Sequence, residues 1–154
     1  MRIVVGCDEA ACNLKQTVIE YIKEYHPDIE LTDIGTFSGK KVLYPDIAHQ
    51  AAMEVKDKNF DRGILLCGTG IGMAICANKV EGIRAAVCHD VYSAERSRKS
   101  NDAQILCMGE RVIGPELAKC IVEIWLNSEF AGGGSAEKVK RICELEKAFG
   151  AEEK

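Results

Sequence analysis

The chain has 154 residues, with 20 Lys and Arg against 24 Asp and Glu for a formal net charge of −4, and its composition is 47% hydrophobic and 29% charged. That length fits a single domain over residues 1–150 with room for a buried core, and the balance is that of a soluble globular chain. The acidic net charge, with no basic block longer than Arg96-Ser97-Arg98-Lys99, argues against a nucleic-acid partner. No apolar run approaches membrane-spanning length, and Met1-Arg2 leads straight into a strand pattern without a signal segment.

Arg2-Ile3-Val4-Val5-Gly6 reads as a first strand, with Cys7-Asp8-Glu9-Ala10-Ala11 as the turn after it. From Asn13 to Tyr25 the apolar positions Leu14, Val18, Ile19, Ile22 and Tyr25 have helical spacing, and Pro27 stops the helix. Ile29 to Ile34 is a second strand and Gly35 to Lys41 a loop. Pro45 opens a helix that continues from Asp46 to Lys58, since proline is tolerated in a first turn. Ile64-Leu65-Leu66 is a short buried strand, followed by Cys67-Gly68-Thr69-Gly70-Ile71-Gly72 as a turn and Met73 to Lys79 as a helix.

Ile83 to Cys88 reads as a fourth strand, and Asp90 caps a helix reaching about Ser100. Ala103 to Met108 is a fifth strand, and Pro115 starts a helix through Trp125 with Leu117, Cys120, Ile121 and Ile124 turned inward. Ala131 to Gly134 is a linker before a final helix capped by Ser135. Alternating strands and helices at this spacing predict a doubly wound, three-layer α/β fold on a five-stranded parallel sheet. Ligands of such sheets bind beyond the carboxyl ends of the strands, where Asp8, Cys67, His89 and Gly109 converge.

None of the 8 cysteines forms a Cys-x-x-Cys pair, and most lie in apolar strands or helix faces, where cysteine behaves as a small hydrophobe. A reduced, cytoplasmic protein without disulfides or zinc is expected. Cys67 is the exception, since a Gly-rich turn between strand and helix aims backbone N–H groups outward. Such a nest stabilises anions and should lower the pKa of a thiol at its rim. Three other readings of the loop fail on a named residue. A Walker loop needs Gly-Lys-Ser/Thr, and no lysine precedes Lys79; a dinucleotide fingerprint needs glycine at Met73; a cysteine phosphatase loop needs arginine there. A thiolate beside an oxyanion nest remains, suited to proton transfer next to a carbonyl. A tight turn with a merely buried cysteine is the alternative.

Gly6-Cys7-Asp8, Tyr44-Pro45, the Cys67 to Gly72 run, Ala77-Asn78-Lys79, Gly82-Ile83-Arg84, Tyr92-Ser93-Ala94, Asn101-Asp102 and Gly109 to Gly114 together resemble the type B ribose-5-phosphate isomerases and the related galactose-6-phosphate isomerase subunits. The resemblance implies an aldose–ketose isomerase on a flavodoxin-like, Rossmann-like sheet, using no metal or cofactor. It also implies dimers, or dimers of dimers, whose sites are completed by the C-terminal helix of the neighbouring subunit. The residue matching Cys67 would carry the proton through a cis-enediolate, with Thr69 assisting and the Gly70, Ile71 and Gly72 amides holding charge. Asp8, Glu9, Tyr44, Gly68, Ser100, Asn101, Arg111, Lys138 and Arg141 fall at substrate-binding positions. Asn101 is expected at a helix end facing the nest. A glutamate base used elsewhere in the family would stand at Met73, which cannot serve.

The chain departs from that family at four places. Glu9 stands where a phosphate-binding histidine is usual, Leu43 where an aspartate is, Ser100 where the ring-opening histidine is, and Gly134 where an arginine is. Two readings follow. The substrate is ribose 5-phosphate, held by Arg111, Lys138 and Arg141, or it is another sugar phosphate. A tetrose 4-phosphate such as erythrose or erythrulose 4-phosphate cannot close a furanose ring and needs no ring-opener; hexose 6-phosphates remain open. A phosphosugar-binding subunit without activity is the reading from another class. His89 is expected to have a helix-capping or structural role, with replacement of the missing ring-opener as the alternative; His26 and His49 are expected to be solvated, and Trp125 to pack in the core or a dimer contact.

Overall fold

Five strands form one parallel sheet in this computed structural model, which describes residues 1–37 and 39–151. Ser38, within the expected loop over 35–41, lies outside the described residues. The elements alternate along the chain as β1 (Arg2–Cys7), α1 (Cys12–Tyr25), β2 (Glu30–Asp33), α2 (Tyr44–Lys56), β3 (Arg62–Cys67), α3 (Ile71–Ala77), β4 (Ala85–Val87), α4 (Val91–Lys99), β5 (Ile105–Gly109), α5 (Pro115–Leu126) and α6 (Gly134–Ala151). The expected α/β fold is present, and every strand pair is parallel.

The spatial order is β2-β1-β3-β5-β4, so the last two strands are exchanged relative to the 2-1-3-4-5 order of flavodoxin. Side-chain bulk accounts for the exchange. β5 supplies Ile-Leu-Cys-Met and is buried along its length, whereas Ala85-Ala86-Val87 is short and half-buried, as suits an edge. β2 occupies the other edge with one exposed and three half-buried residues.

Two apolar layers flank the sheet. On one face Ile3, Val5, Ile64, Leu66, Leu106 and Met108 pack against α1, α4 and α5. On the other, Val4, Leu65, Ile105 and Cys107 pack against α2 and α3. Because β3 is covered on both sides, its side chains need no polar alternation. Ile64, Leu65 and Leu66 are each fully buried, and each such side chain contributes about 1.5–3 kcal/mol.

Several local expectations shift. The inward stripe of α5 is Ala118, Ile121, Val122, Trp125 and Leu126, while Leu117 and Cys120 are exposed. The segment is apolar nearly all round, so several stripes compete; small Ala118 lets the helix approach the sheet, and Trp125 fills the core. The final helix starts at Gly134, so Ser135 lies within its first turn. His26 is half-buried, with Nε2 2.6 Å from Glu123 Oε2, which also accepts from Tyr21 Oη at 2.7 Å. Buried Arg62 donates to the carbonyls of Trp125 and Leu126 at 2.9 and 3.2 Å, closing the free carbonyl end of α5.

Among the described residues, no helix is long and apolar enough to cross a membrane. All eight cysteines are free.

Candidate active site

β3 delivers Cys67 to the carboxyl edge of the sheet, and the chain must then reverse into α3 within a few residues. Gly70 makes that possible. Its φ of 77° is in the left-handed region, and a Cβ there would also lie 3.0 Å from the Met108 backbone. The turn brings the Gly70 amide back onto Cys67, donating to Sγ at 3.0 Å. The Ile71 amide donates to Thr69 Oγ1 at 3.3 Å. Of the three amides expected to face the substrate, two are thus engaged inside the loop, and that of Gly72 is left in the open first turn of α3.

The loop is clamped from its far side. The amides of Glu110 and Arg111 donate to the carbonyls of Cys67 and Gly68 at 3.0 and 3.1 Å. Gly109 fits between them only because it lacks a side chain: a Cβ there would lie 2.6, 2.7 and 2.8 Å from Thr69 Cα, Thr69 C and Gly68 O. Tyr44, the first residue of α2, lays its ring on Gly72, where an added Cβ would come within 2.5 Å of it. Glu110 turns the other way, accepting from the Leu14 amide at 2.9 Å and Asn13 Nδ2 at 3.1 Å. It thereby caps α1, whose own N-terminal residue, Ala11, has no side chain able to do so.

These contacts leave an open cleft of about 450 Å³ lined by Asp8, Ala10, Tyr44, Cys67, Gly68, Thr69, Ile71, Gly72, Ile75 and Arg111. Cys67 is only 6% exposed, yet it belongs to the cleft wall. Arg111 passes over Gly68, its guanidinium 3.5 Å from where a Cβ would be. Asp8 accepts from the Ala10 amide at 3.0 Å. Burial pushes its carboxyl above the ordinary range, opposed by that amide and by the charge of Arg111. Met73 is fully buried, so no side chain from that position enters the cleft. Among the described residues, no group of three or more His, Cys, Asp or Glu side chains is placed to hold a metal ion.

Other expected site residues stand elsewhere. Glu9 is exposed and accepts from the Val42 amide at 3.3 Å; its own backbone amide first, then that of Val42 and the nearby Lys41 charge, lower its pKa, and the carboxylate holds the loop before α2 and does not line the cleft. Ser100 and Asn101 do not face the nest of their own chain. α4 runs antiparallel to the strands, so its C-terminus lies at the opposite edge of the sheet, where the Asn101 carbonyl accepts from Arg84 Nε at 3.0 Å. The same edge receives α6, through Glu146 on the Gly82 amide at 2.9 Å and Cys143 against Arg84 at 3.8 Å. Exposed Arg141 pairs with Glu144 at 3.1 Å, and Lys138 is exposed.

His89 lies beside the cleft rather than in it. The helix cap is Asp90, which accepts from the Ser93 amide at 2.7 Å. The His89 ring accepts at Nε2 from the Gly109 amide at 2.9 Å, and burial lowers its pKa against the opposing charge of Asp90. Ala10 and Ile75 were not anticipated in the wall. Ile75 was legible, since it follows Ile71 by one helical turn on the same exposed face.

A family model described as Ribose/Galactose Isomerase matches residues 3–142. The chain is 58% identical over 146 residues to the ribose-5-P isomerase B of Listeria innocua, covering 95% of this chain and 97% of that protein. It is 54% identical over 143 residues to the D-erythrulose-4-phosphate isomerase of Pectobacterium atrosepticum, covering 92% and 93%. The solved structure of Clostridium thermocellum ribose-5-phosphate isomerase B superposes with a TM-score of 0.93 at 47% identity, covering 97% of this chain and 99% of that one.

Proposed function

The chain belongs to the ribose/galactose isomerase family, and from that premise we propose that it interconverts aldose and ketose forms of a phosphorylated sugar, with Cys67 as the base. The observation that carries this reading is Cys67 in the cleft wall with the Gly70 amide aimed at its sulfur from 3.0 Å. That donor gives negative charge on the sulfur an immediate partner.

The C–H next to a carbonyl is weakly acidic, so the protein must favour the enediolate over the substrate. The Cys67 thiolate takes that proton, and the electron pair moves through the new C=C bond onto the carbonyl oxygen. A proton then passes between the two oxygens, assisted by Thr69 Oγ1. Cys67 returns its proton to the former carbonyl carbon, and the adjacent oxygen becomes the new carbonyl. The Gly72 amide is the donor left for the developing oxyanion, and losing one such donor typically costs about 3–4 kcal/mol. Asp8 orients substrate hydroxyls and Tyr44 walls the cleft. Arg111 holds the phosphate, as a guanidinium suits a phosphate oxygen pair.

We further propose that two copies of the single 1–150 domain pair, each cleft receiving Ser100, Asn101, Lys138 and Arg141 from its neighbour. Supporting this, Asn101, next to Ser100, lies at the sheet edge opposite its own Cys67, and α6, which carries Lys138 and Arg141, meets that edge through Glu146. Ribose 5-phosphate is the substrate by family likeness. Ser100 at the ring-opening position favours a second reading, a tetrose 4-phosphate that is always linear.

Purified protein assayed against four-, five- and six-carbon aldose and ketose phosphates tests both. Turnover abolished by Cys67→Ala, with fold and dimer intact, supports the isomerase and ranks the substrates. Binding without turnover on every member would favour a phosphosugar-binding subunit.

A further inference from the structure

The parallel ladder between β4 and β5 ends in an unusual way. The Ile105 amide bonds to the Arg84 carbonyl, and Ala85 faces Ile105 while Val87 faces Cys107. Continued two residues at a time, that pattern would send the Gly109 amide to the carbonyl of Cys88. β4 has ended by then, and the amide goes to the His89 ring instead, at 2.9 Å. A side chain thus supplies the acceptor the missing strand would have given.

Gly109 is also the point at which the turn bears on the Cys67 loop. Its Cα sits against Thr69 and Gly68 with no room for one more carbon, and the next two amides hold the carbonyls of Cys67 and Gly68. Arg111, two residues on, lines the cleft. A displacement of Gly109 is therefore passed by main-chain contact to the sulfur on one side and the guanidinium on the other.

We infer that His89 is a positioning residue for this site, its neutral ring anchoring Gly109 and, through it, the Cys67 loop and Arg111. A backbone N–H can only donate, so Nε2 must carry a lone pair and the ring proton must sit on Nδ1. His89 is not among the residues that line the cleft, and its role here is positional, not catalytic. The consequence for turnover rests on the isomerase reading above; the bond itself does not.

Two-bond 1H–15N correlation on uniformly labelled protein near neutral pH reads the tautomer directly, with only His26, His49 and His89 to assign. The expected result is the Nδ1–H form for His89; an Nε2–H or doubly protonated ring overturns the inference. His89→Leu removes the acceptor, and His89→Gln offers an amide oxygen in its place. In His89→Leu, kcat is expected to fall by about 10–100-fold, more than KM rises, because a misplacement near 1 Å costs about that much. Alkylation of Cys67 by iodoacetamide, followed peptide by peptide, should change with it, and His89→Gln should recover most of both. Native kcat in His89→Leu, or equal loss in the two variants, overturns the inference. Should His89→Leu fail to fold, the tautomer decides. Should the protein turn over no sugar phosphate, the isomerase reading fails while tautomer and alkylation still report on the anchor.

Discussion

Gly109→Ala is the most exacting perturbation of the Cys67 loop that adds a single carbon. The new Cβ would stand 2.6–2.8 Å from three atoms, about 0.6–0.8 Å short of the 3.4 Å at which ordinary contact begins. All three atoms are main chain, in a loop tied at both neighbouring carbonyls, so nothing can swing aside. Overpacking of this kind costs about 1–3 kcal/mol, and an unyielding neighbour puts it at the upper end. For a chain of this size about 3 kcal/mol lowers Tm by about 6–12 °C. The displaced loop carries Cys67 and Thr69, so turnover should fall by about 100-fold. Calorimetric unfolding with steady-state kinetics on the preferred substrate measures both. A Tm within about 1 °C of native together with native kcat would refute the claim that this contact sets the site.

Gly72→Ala poses the opposite case, since the added carbon meets the half-exposed Tyr44 ring, which can rotate away. Stability should drop by only about 1 kcal/mol while KM rises, because the cleft wall is what moves; a large Tm loss with unchanged KM would contradict this. Glu123 supplies a pH test. The hydrogen bonds from Tyr21, then His26 and Asn127, hold its carboxyl below its ordinary value of 4.5. The unfolded chain therefore takes up this proton first as pH falls, so the stabilisation is complete above 4.5 and fades as pH drops through the folded value. The gap in urea midpoint between native protein and Glu123→Gln should be present near neutral pH and shrink in acid. A gap independent of pH would rule the ionic contribution out.

Much of this architecture was legible one segment at a time. Ile64-Leu65-Leu66 announced a strand buried on both faces, Pro45 and Pro115 marked helix starts, and Asp90 capped where expected. The Gly70 turn, with its sulfur, followed from strand, glycines and helix in immediate succession. What escaped depended on relations between segments. Ser100 and Asn101 could be placed only by tracing the direction of α4 across the sheet. Glu110 capping α1 joins residues 96 apart in sequence, and nothing local marks it. The His89 to Gly109 bond exists because β4 stops one step short of β5, a mismatch in register that no local signal marks. The α5 stripe was misread for a simpler reason: an apolar run with Leu, Cys, Ile, Val and Trp in every direction leaves its inner face to be chosen by the sheet.

Inserting the fifth strand inside the fourth has a temporal consequence. As the chain emerges or collapses, β3 and β4 cannot join; a slot two strand spacings wide, about 9.5 Å, stays open between them until residues 105–109 arrive. That closing segment ends on the same glycine that props the Cys67 turn. Completion of the sheet and support of the Cys67 turn therefore depend on one segment, so a chain halted before residue 109 has neither a completed edge nor a propped turn.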